Sequence, residues 1–386
     1  MPSCVGSSGA TSARGVALRV VMLTGEASGD MLAASLAGAM RELLPGVEFE
    51  GIGGERMAAA GFRLTVRTTG WSSMGHVEAL GRILPLLGEG LRHAAWLRAE
   101  PADLLVLVDF GAFNLRFAQT LRALGYRRPI LYFFPPGAWL DRPKQARAVA
   151  RSTKALTAFA RQRDYYRSLD LEIAYFGHPL VSLVAPRPAR PVAPGDGGTI
   201  ALLPGSRRGE IARHLGRLVA ACRLLRLRRG QARFVVACAD ADAEQTIRAE
   251  LAPLRFEGIE FVRGARPALD AADAAFIASG TAVLEAALRE VPTVALYVLV
   301  EAQVAIARRV WNGPYVTLPN LLLERGVVPE FLQDDATPER LAAALDALLA
   351  DPAPQLAALR QVRGVLGPAD ALQRCAAFAA ALARGA

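Results

Sequence analysis

Short apolar runs bounded by glycine or polar turns alternate with longer stretches of helical period along this chain, and the series is run through twice. Runs apolar at every position suit strands buried on both faces, and helical stretches between them supply the crossovers that a parallel sheet needs. The first series predicts strands at 17–24, 104–109, 130–134 and 173–176, with helices beginning near Asp30, Phe113, Pro143 and Arg161. The second predicts strands at 199–203, 233–237, 259–262, 274–278 and 293–297. Between them, residues 185–198 carry Pro186, Pro188, Pro191 and Pro194 with several glycines, which can continue neither a helix nor a central strand. This stretch reads as a hinge. A chain of 386 residues also exceeds what one core organises well. The expected organisation is an N-terminal tail at 1–15, a first domain at 16–190, a second at 191–366, and a C-terminal helix at 367–386 that packs back on the first domain. The fold class is α/β: two Rossmann-like, doubly wound parallel-sheet domains facing across a cleft, with ligand crevices at the carboxyl ends of their strands.

Composition narrows the partners. With 52% hydrophobic and 21% charged residues the chain is that of a globular protein. Its net charge of +9, with Arg223, Arg226, Arg228, Arg229 and Arg233 gathered in one stretch, favours anions. Only 7% of residues are aromatic and none of the nucleic-acid-binding motifs occurs, so phosphorylated small molecules or anionic headgroups fit better than nucleic acid. Cys4, Cys222, Cys238 and Cys375 lack the spacing of a metal site or disulfide framework, which suits a reducing compartment. The first fifteen residues lack the apolar core of a signal peptide. The longest apolar candidate for a membrane span, 293–307, is interrupted by Glu301 and Gln303 and is shorter than the roughly 18–20 residues needed. A mean hydropathy of +0.25 still leaves room for an apolar surface resting on a membrane. The stretch 76–99 spaces Leu80, Ile83, Leu84, Leu87, Leu91 and Leu97 among Arg82, Arg92, Trp96 and Arg98, with Pro85 interrupting. Packing against its own domain and a lip that touches lipid are both open readings of it.

Four strand-to-helix turns carry the candidate chemistry. The first strand runs into Gly25-Glu26-Ala27-Ser28-Gly29-Asp30, where a helix start presents free N–H groups to a ligand, or where Ser28 or Asp30 caps that helix. The strand at 104–109 ends in Asp109, followed by Phe110-Gly111-Ala112-Phe113-Asn114. A carboxylate at the cleft mouth suits a general base; the plainer reading is a helix cap. The turn Pro204-Gly205-Ser206-Arg207-Arg208-Gly209-Glu210 suits a diphosphate, because glycine admits close backbone approach and arginine pairs with two phosphate oxygens at once. Ser279-Gly280-Thr281 opens another helix with Glu285 one turn inside it, where a carboxylate can accept ribose hydroxyls or be an ordinary surface Glu. His178 follows a strand in Phe176-Gly177-His178-Pro179 and is placed near the cleft, and the histidines form neither a metal cluster nor a triad order.

Taken in order, eight segments of this chain resemble the lipid-A-disaccharide synthase family, glycosyltransferase family 19. They are Gly25–Asp30; Gly51-Ile52-Gly53-Gly54 with Arg56-Met57; Met74-Gly75-His76-Val77-Glu78 with Leu80-Gly81-Arg82; and Val108-Asp109 with Phe113-Asn114. Further on come Phe176–Pro179, Leu202-Leu203-Pro204-Gly205-Ser206-Arg207, Ala278–Ala282 with Leu284-Glu285, and Tyr315-Val316-Thr317-Leu318-Pro319-Asn320-Leu321-Leu322. The resemblance implies the GT-B arrangement and an inverting hexosyltransferase of lipid A biosynthesis. In that reaction UDP-2,3-diacylglucosamine donates its sugar to 2,3-diacylglucosamine 1-phosphate and UDP is released. It implies Asp109 as the catalytic base. The substrate-binding positions it implies are Gly25, Ser28, Asp30, Gly205, Ser206, Arg207, Ser279, Gly280, Thr281, Glu285 and Asn320. It also implies no cofactor and no metal, a UDP-sugar donor, a lipid-linked sugar phosphate acceptor, and a cytoplasmic protein held peripherally on the cytoplasmic face of the inner membrane.

Departures fall toward the acceptor. Ala112 stands where the family usually has an acidic residue, and Val298 where it has arginine. Phe134-Pro135-Pro136-Gly137-Ala138-Trp139-Leu140-Asp141-Arg142 replaces a Ser-Pro-Ser-x-Trp-Ala-Trp-Arg run. A GT-B enzyme with another acceptor, an isomerase like UDP-N-acetylglucosamine 2-epimerase, and a non-catalytic nucleotide binder are the alternatives at this point.

Overall fold

The computed structural model of the protein describes residues 17–68, 83–187, 197–311 and 313–385. The N-terminal tail, the first part of the amphipathic stretch and most of the proline-rich hinge lie outside the described residues. The first lobe contains strands β1 (Arg19–Leu23), β2 (Glu48–Gly53), β3 (Arg63–Arg67), β4 (Leu104–Val108), β5 (Ile130–Phe133), β6 (Lys154–Thr157) and β7 (Ala174–Tyr175). Its helices are α1 (Ala27–Leu43), α2 (Glu55–Ala59), α3 (Ile83–Ala99), α4 (Gly111–Ala123), α5 (Pro143–Ser152) and α6 (Ala160–Arg167), with α7 (Leu180–Leu183) leading out. The second lobe alternates β8 (Thr199–Leu203), β9 (Arg233–Cys238), β10 (Ile259–Arg263), β11 (Ala274–Ala278), β12 (Thr293–Tyr297) and β13 (Glu330–Leu332) with helices. These are α8 (Arg208–Arg229), α9 (Ala241–Leu251), α10 (Ala265–Ala271), α11 (Thr281–Leu288), α12 (Glu301–Val310) and α13 (Leu318–Leu323). Then α14 (Pro338–Ala350), α15 (Ala353–Leu366) and α16 (Ala371–Arg384) follow.

Both sheets are parallel throughout, in the orders β3-β2-β1-β4-β5-β6-β7 and β10-β9-β8-β11-β12-β13. The central strands β1, β4, β8 and β11 are almost wholly buried, because helices cover both faces. In the first lobe Val20, Met22 and Val106 pack against α1 and α16, while Val21, Leu105 and Leu107 pack against α3, α4 and α5. In the second, Ile200, Leu202 and Val236 meet α8, α9 and α14, and Ala201, Leu203 and Ile277 meet α10, α11 and α15. Strands β2, β3, β6 and β13 escape the sequence reading for physical reasons. Glu48 and Glu50 interrupt β2, edge strand β3 alternates exposed and half-buried residues, β6 opens on exposed Lys154 and leaves an apolar run of two, and β13 spans three residues. Among the described residues no helix is long and apolar enough to cross a membrane.

The chain crosses between lobes twice, and the crossings touch. A Cβ on Gly177 would stand 2.9 Å from the Leu366 carbonyl and 3.2 Å from Gly367 Cα, and both glycines have positive φ, 95° and 116°. Only glycine fits such an approach. His178 N–H donates to Leu366 O across 2.8 Å, and beyond the crossing α16 lies on α1 of the first lobe. The strand order reverses between β1 and β4 in one sheet and between β8 and β11 in the other. Crevices open at such switch points. The four turns singled out from the sequence follow these four strands.

Candidate active site

The turns after β1 and β8 meet across the lobes. Glu26 is the residue before α1 and Arg207 the residue before α8, both with extended backbone. Arg207 Nη2 donates to Glu26 Oε1 at 2.7 Å, and Nη1 donates to Glu210 Oε1 at 3.1 Å. The two carboxylates engage the guanidinium in a partly buried site, where such contacts are strengthened. Around this contact lies a cavity of about 280 Å³ whose lining includes Ser28, Gly205, Ser206, Arg207, Ser279, Gly280 and Thr281. Seven of the residues selected from the sequence therefore share one space. Gly205 has φ +118°, and a Cβ there would strike the Glu210 side chain at 2.9 Å. Gly280 has nothing within 4 Å of its would-be Cβ, leaving the start of α11 open. A smaller cavity beside it, sharing Glu26, is lined by Gly25, Asp30, Arg56 and Asp240.

Asp109 sits on a contorted turn. Both Asp109 (φ 48°) and Phe110 (φ 50°) are left-handed, a conformation that costs a non-glycine residue energy and has to be imposed by its surroundings. Two buried side chains impose it. Asn114 Nδ2 donates to Asp109 O at 2.8 Å and to Val108 O at 3.2 Å, and Tyr132 Oη donates to Asp109 O at 3.1 Å and Gly111 O at 3.3 Å. Phe110 is the N-cap of α4 and no side chain caps that helix, so the Asp109 carboxylate is not spent as a cap. Its pKa is pushed up to about 6, first by burial and then by the negative charge of Glu26, against the opposing pull of the Phe110 N–H and Arg207. Gly25 serves this turn by packing: a Cβ there would lie 2.8 Å from the Phe110 ring.

Two of the predicted ligand residues have other tasks. The buried Asp30 carboxylate accepts from the backbone N–H groups of Gly54, Arg56 and Met57 at 2.7, 2.9 and 3.1 Å, and so fixes the start of α2. It does not cap α1, and it lines the smaller cavity. Asn320 is 1% exposed; its Oδ1 accepts from Val327 N and Val328 N at 2.8 Å, and its Nδ2 donates to Val328 O and Glu330 Oε1 at 2.8 and 2.7 Å. An amide offers two donors and one acceptor oxygen, and here all are engaged within the chain. Replacing Asn320 by alanine is expected to cost about 2–4 kcal/mol through unpaired backbone groups. Thermal unfolding of the variant checks this, and an unchanged Tm refutes it.

Glu285 is half-buried one turn inside α11 and does not line the main cavity; burial raises its pKa, while Arg56 and Arg266 oppose the shift. His178 is buried between Phe134 and Phe159, with its pKa lowered to about 3 by burial and its Nδ1 accepting from Leu180 N–H. It is a neutral structural residue. The motifs gave no separate role to Glu26, Glu210 or Asn114, and Tyr132 lay outside them. An acidic residue in a phosphate turn repels the expected ligand, so Glu26 and Glu210 acquire meaning only with Arg207 standing between them. Among the described residues no three His, Cys, Asp or Glu side chains are grouped to hold a metal ion.

Two doubly wound lobes with glycine-punctuated turns at both switch points, facing across a cleft, form the GT-B architecture. Solved structures share this fold. Arabidopsis thaliana UGT89C1 complexed with UDP-L-rhamnose matches with a TM-score of 0.59 at 14% identity, over 94% of this chain and 98% of that one. The UDP-GlcNAc 2-epimerase from Neisseria meningitidis matches with a TM-score of 0.62 at 10% identity, over 94% and 99%. Sequence comparison separates what the fold alone does not. The family model for lipid-A-disaccharide synthetase matches residues 20–364. The lipid-A-disaccharide synthase of Azotobacter vinelandii is 40% identical over 347 residues, covering 86% of this chain and 90% of the relative. That of Myxococcus xanthus is 38% identical over 376 residues, covering 93% and 96%. The chain belongs to the lipid-A-disaccharide synthetase family, and so to the hexosyltransferases of lipid A biosynthesis.

Proposed function

We propose that the chain transfers 2,3-diacylglucosamine from UDP-2,3-diacylglucosamine to the 6-hydroxyl of 2,3-diacylglucosamine 1-phosphate, with inversion and release of UDP. The observation that carries this reading is the contact of Arg207 with Glu26 at 2.7 Å across the lobes, beside Asp109, whose carboxyl feels the charge of both. The donor diphosphate enters the main cavity between Ser279-Gly280-Thr281 and Ser206-Arg207, where the starts of α11 and α8 present unpaired N–H groups and positive dipole ends. Arg207 then exchanges a carboxylate for phosphate oxygens. Asp109 takes the proton of the attacking hydroxyl as its oxygen bonds to the anomeric carbon. The bond from that carbon to the diphosphate oxygen breaks, and its electron pair leaves with UDP. Arg207 and the helix ends stabilise the charge that develops there.

Relatives bearing the synthase name support the substrates, and solved structures of the same fold described with UDP support the nucleotide. We treat the two sheets as the cores of two domains, between which the chain crosses at Gly177 and Gly367. The lipid-linked acceptor calls for a peripheral seat on the cytoplasmic face of the inner membrane. Radiolabelled UDP-2,3-diacylglucosamine incubated with the monosaccharide phosphate is expected to yield labelled disaccharide and UDP. Binding of UDP without disaccharide formation would overturn the acceptor assignment.

A further inference from the structure

A separate cleft of about 540 Å³ lies between the lobes, and the transfer chemistry above makes no use of it. Residues 139–142 and Arg161 form its first-lobe wall; Trp311, Tyr315 and Glu324 stand on the other. Its volume suits a sugar phosphate. Its lining does as well. Three aromatic side chains, Trp139, Trp311 and Tyr315, offer faces on which the apolar C–H face of a sugar packs. Trp139 is held edge-on to Phe159, with ring centroids 4.5 Å apart.

The charges have a direction. Asp141 is consumed by Arg161, whose Nη1 and Nη2 donate to its two oxygens at 3.0 and 3.2 Å. Among the described residues no carboxylate pairs with Arg142, which precedes the first turn of α5 and so adds its charge to the positive end of that helix. Glu324 on the opposite wall suits a sugar hydroxyl and repels phosphate. A sugar phosphate in this cleft therefore lies with its phosphate toward the first lobe.

The wall is tied to the catalytic turn. Strand β5 pairs with β4 up to Val108↔Phe133, and the Asp109 N–H donates to Phe133 O at 2.9 Å. Buried Gln162 donates to Pro135 O and Pro136 O at 3.1 and 3.2 Å. Pro136 in turn presses on Gly111, where a Cβ would lie 2.9 Å from it. The segment 135–142 thus rises directly from the side of the Asp109 turn, and it is the same segment whose sequence departs from the family run.

Resting on the transfer reaction proposed above, we infer that this cleft binds the sugar 1-phosphate end of the acceptor, with Trp139 against the sugar and Arg142 on the phosphate. The test is steady-state kinetics with two acceptors, the acylated sugar 1-phosphate and its dephosphorylated counterpart. Arg142→Ala should raise the KM of the phosphorylated acceptor about tenfold, the effect of losing one charge-assisted contact. It should leave the dephosphorylated acceptor, the donor KM and UDP affinity unchanged, and Arg142→Lys should restore part of the loss. Trp139→Ala should raise KM for both acceptors alike. Equal effects of Arg142→Ala on both acceptors, or a raised donor KM, overturn the assignment. A wild-type protein that forms no disaccharide refutes the transfer reaction. Calorimetric titration with the sugar 1-phosphate alone then still decides the cleft: heat that disappears in Arg142→Ala supports it, and no heat with wild type overturns it.

Discussion

Asp109→Asn is expected to lower turnover by about 10²-fold or more while UDP still binds, because asparagine keeps the shape of the side chain and cannot take a proton. The wild-type pH profile should carry the signature of the same group. A base works when deprotonated, so kcat/KM should climb as pH rises through about 6 and level off above it. The shift also signs the stability of the variant. A carboxyl whose folded pKa is raised from 3.8 to about 6 favours the folded state fully below pH 3.8, and that contribution is lost as pH rises through about 6. Asparagine stays neutral throughout, so the variant should gain stability over wild type between those values and keep the gain above them. Single-turnover assays and thermal melts across pH 4–8 test both limbs. Full activity in the variant, or a profile flat through pH 6, would remove Asp109 from the chemistry.

Arg207→Ala is expected to cost about 10²–10³ in kcat/KM, the scale of removing one preorganised donor from a developing charge. UDP affinity should fall with it, because the guanidinium lines the cavity and lies at the helix start that receives the diphosphate. A second effect distinguishes this arginine from a structural one. Arg207 holds the Asp109 pKa down while Glu26 holds it up, so removing the positive charge leaves Glu26 unopposed. The acidic limb of the pH profile should therefore move upward, leaving less base deprotonated at neutral pH. Calorimetry with UDP and a pH series on the residual activity measure the two effects. Unchanged UDP affinity together with an unmoved limb would place the diphosphate elsewhere.

Much of the architecture is legible in the amino-acid sequence. Leu104–Val108 and Ala274–Ala278 are apolar at every position, and such runs between helical stretches leave little besides a covered parallel strand. The cavity residues are legible for a related reason. Gly205-Ser206-Arg207 and Ser279-Gly280-Thr281 follow such strands directly, and turn chemistry is local. Strand β3 is not legible, because an edge strand leaves part of each residue to solvent and blurs its apolar pattern.

Periodicity and turn residues act over a few positions, so the chain alone dictated its paired sheets and the four turns that end their central strands. The partner a polar side chain takes is a long-range matter, decided by which surfaces burial brings together. Glu26 and Arg207 stand 181 residues apart in the chain and 2.7 Å apart in space. Asp30 and Asn320, candidates by their motifs, pair with backbone groups 24 to 27 and 7 to 8 residues further along the chain. Tertiary packing made those choices because a buried carboxylate or amide must be satisfied by whatever donor the fold places beside it, and only the folded chain specifies that neighbour.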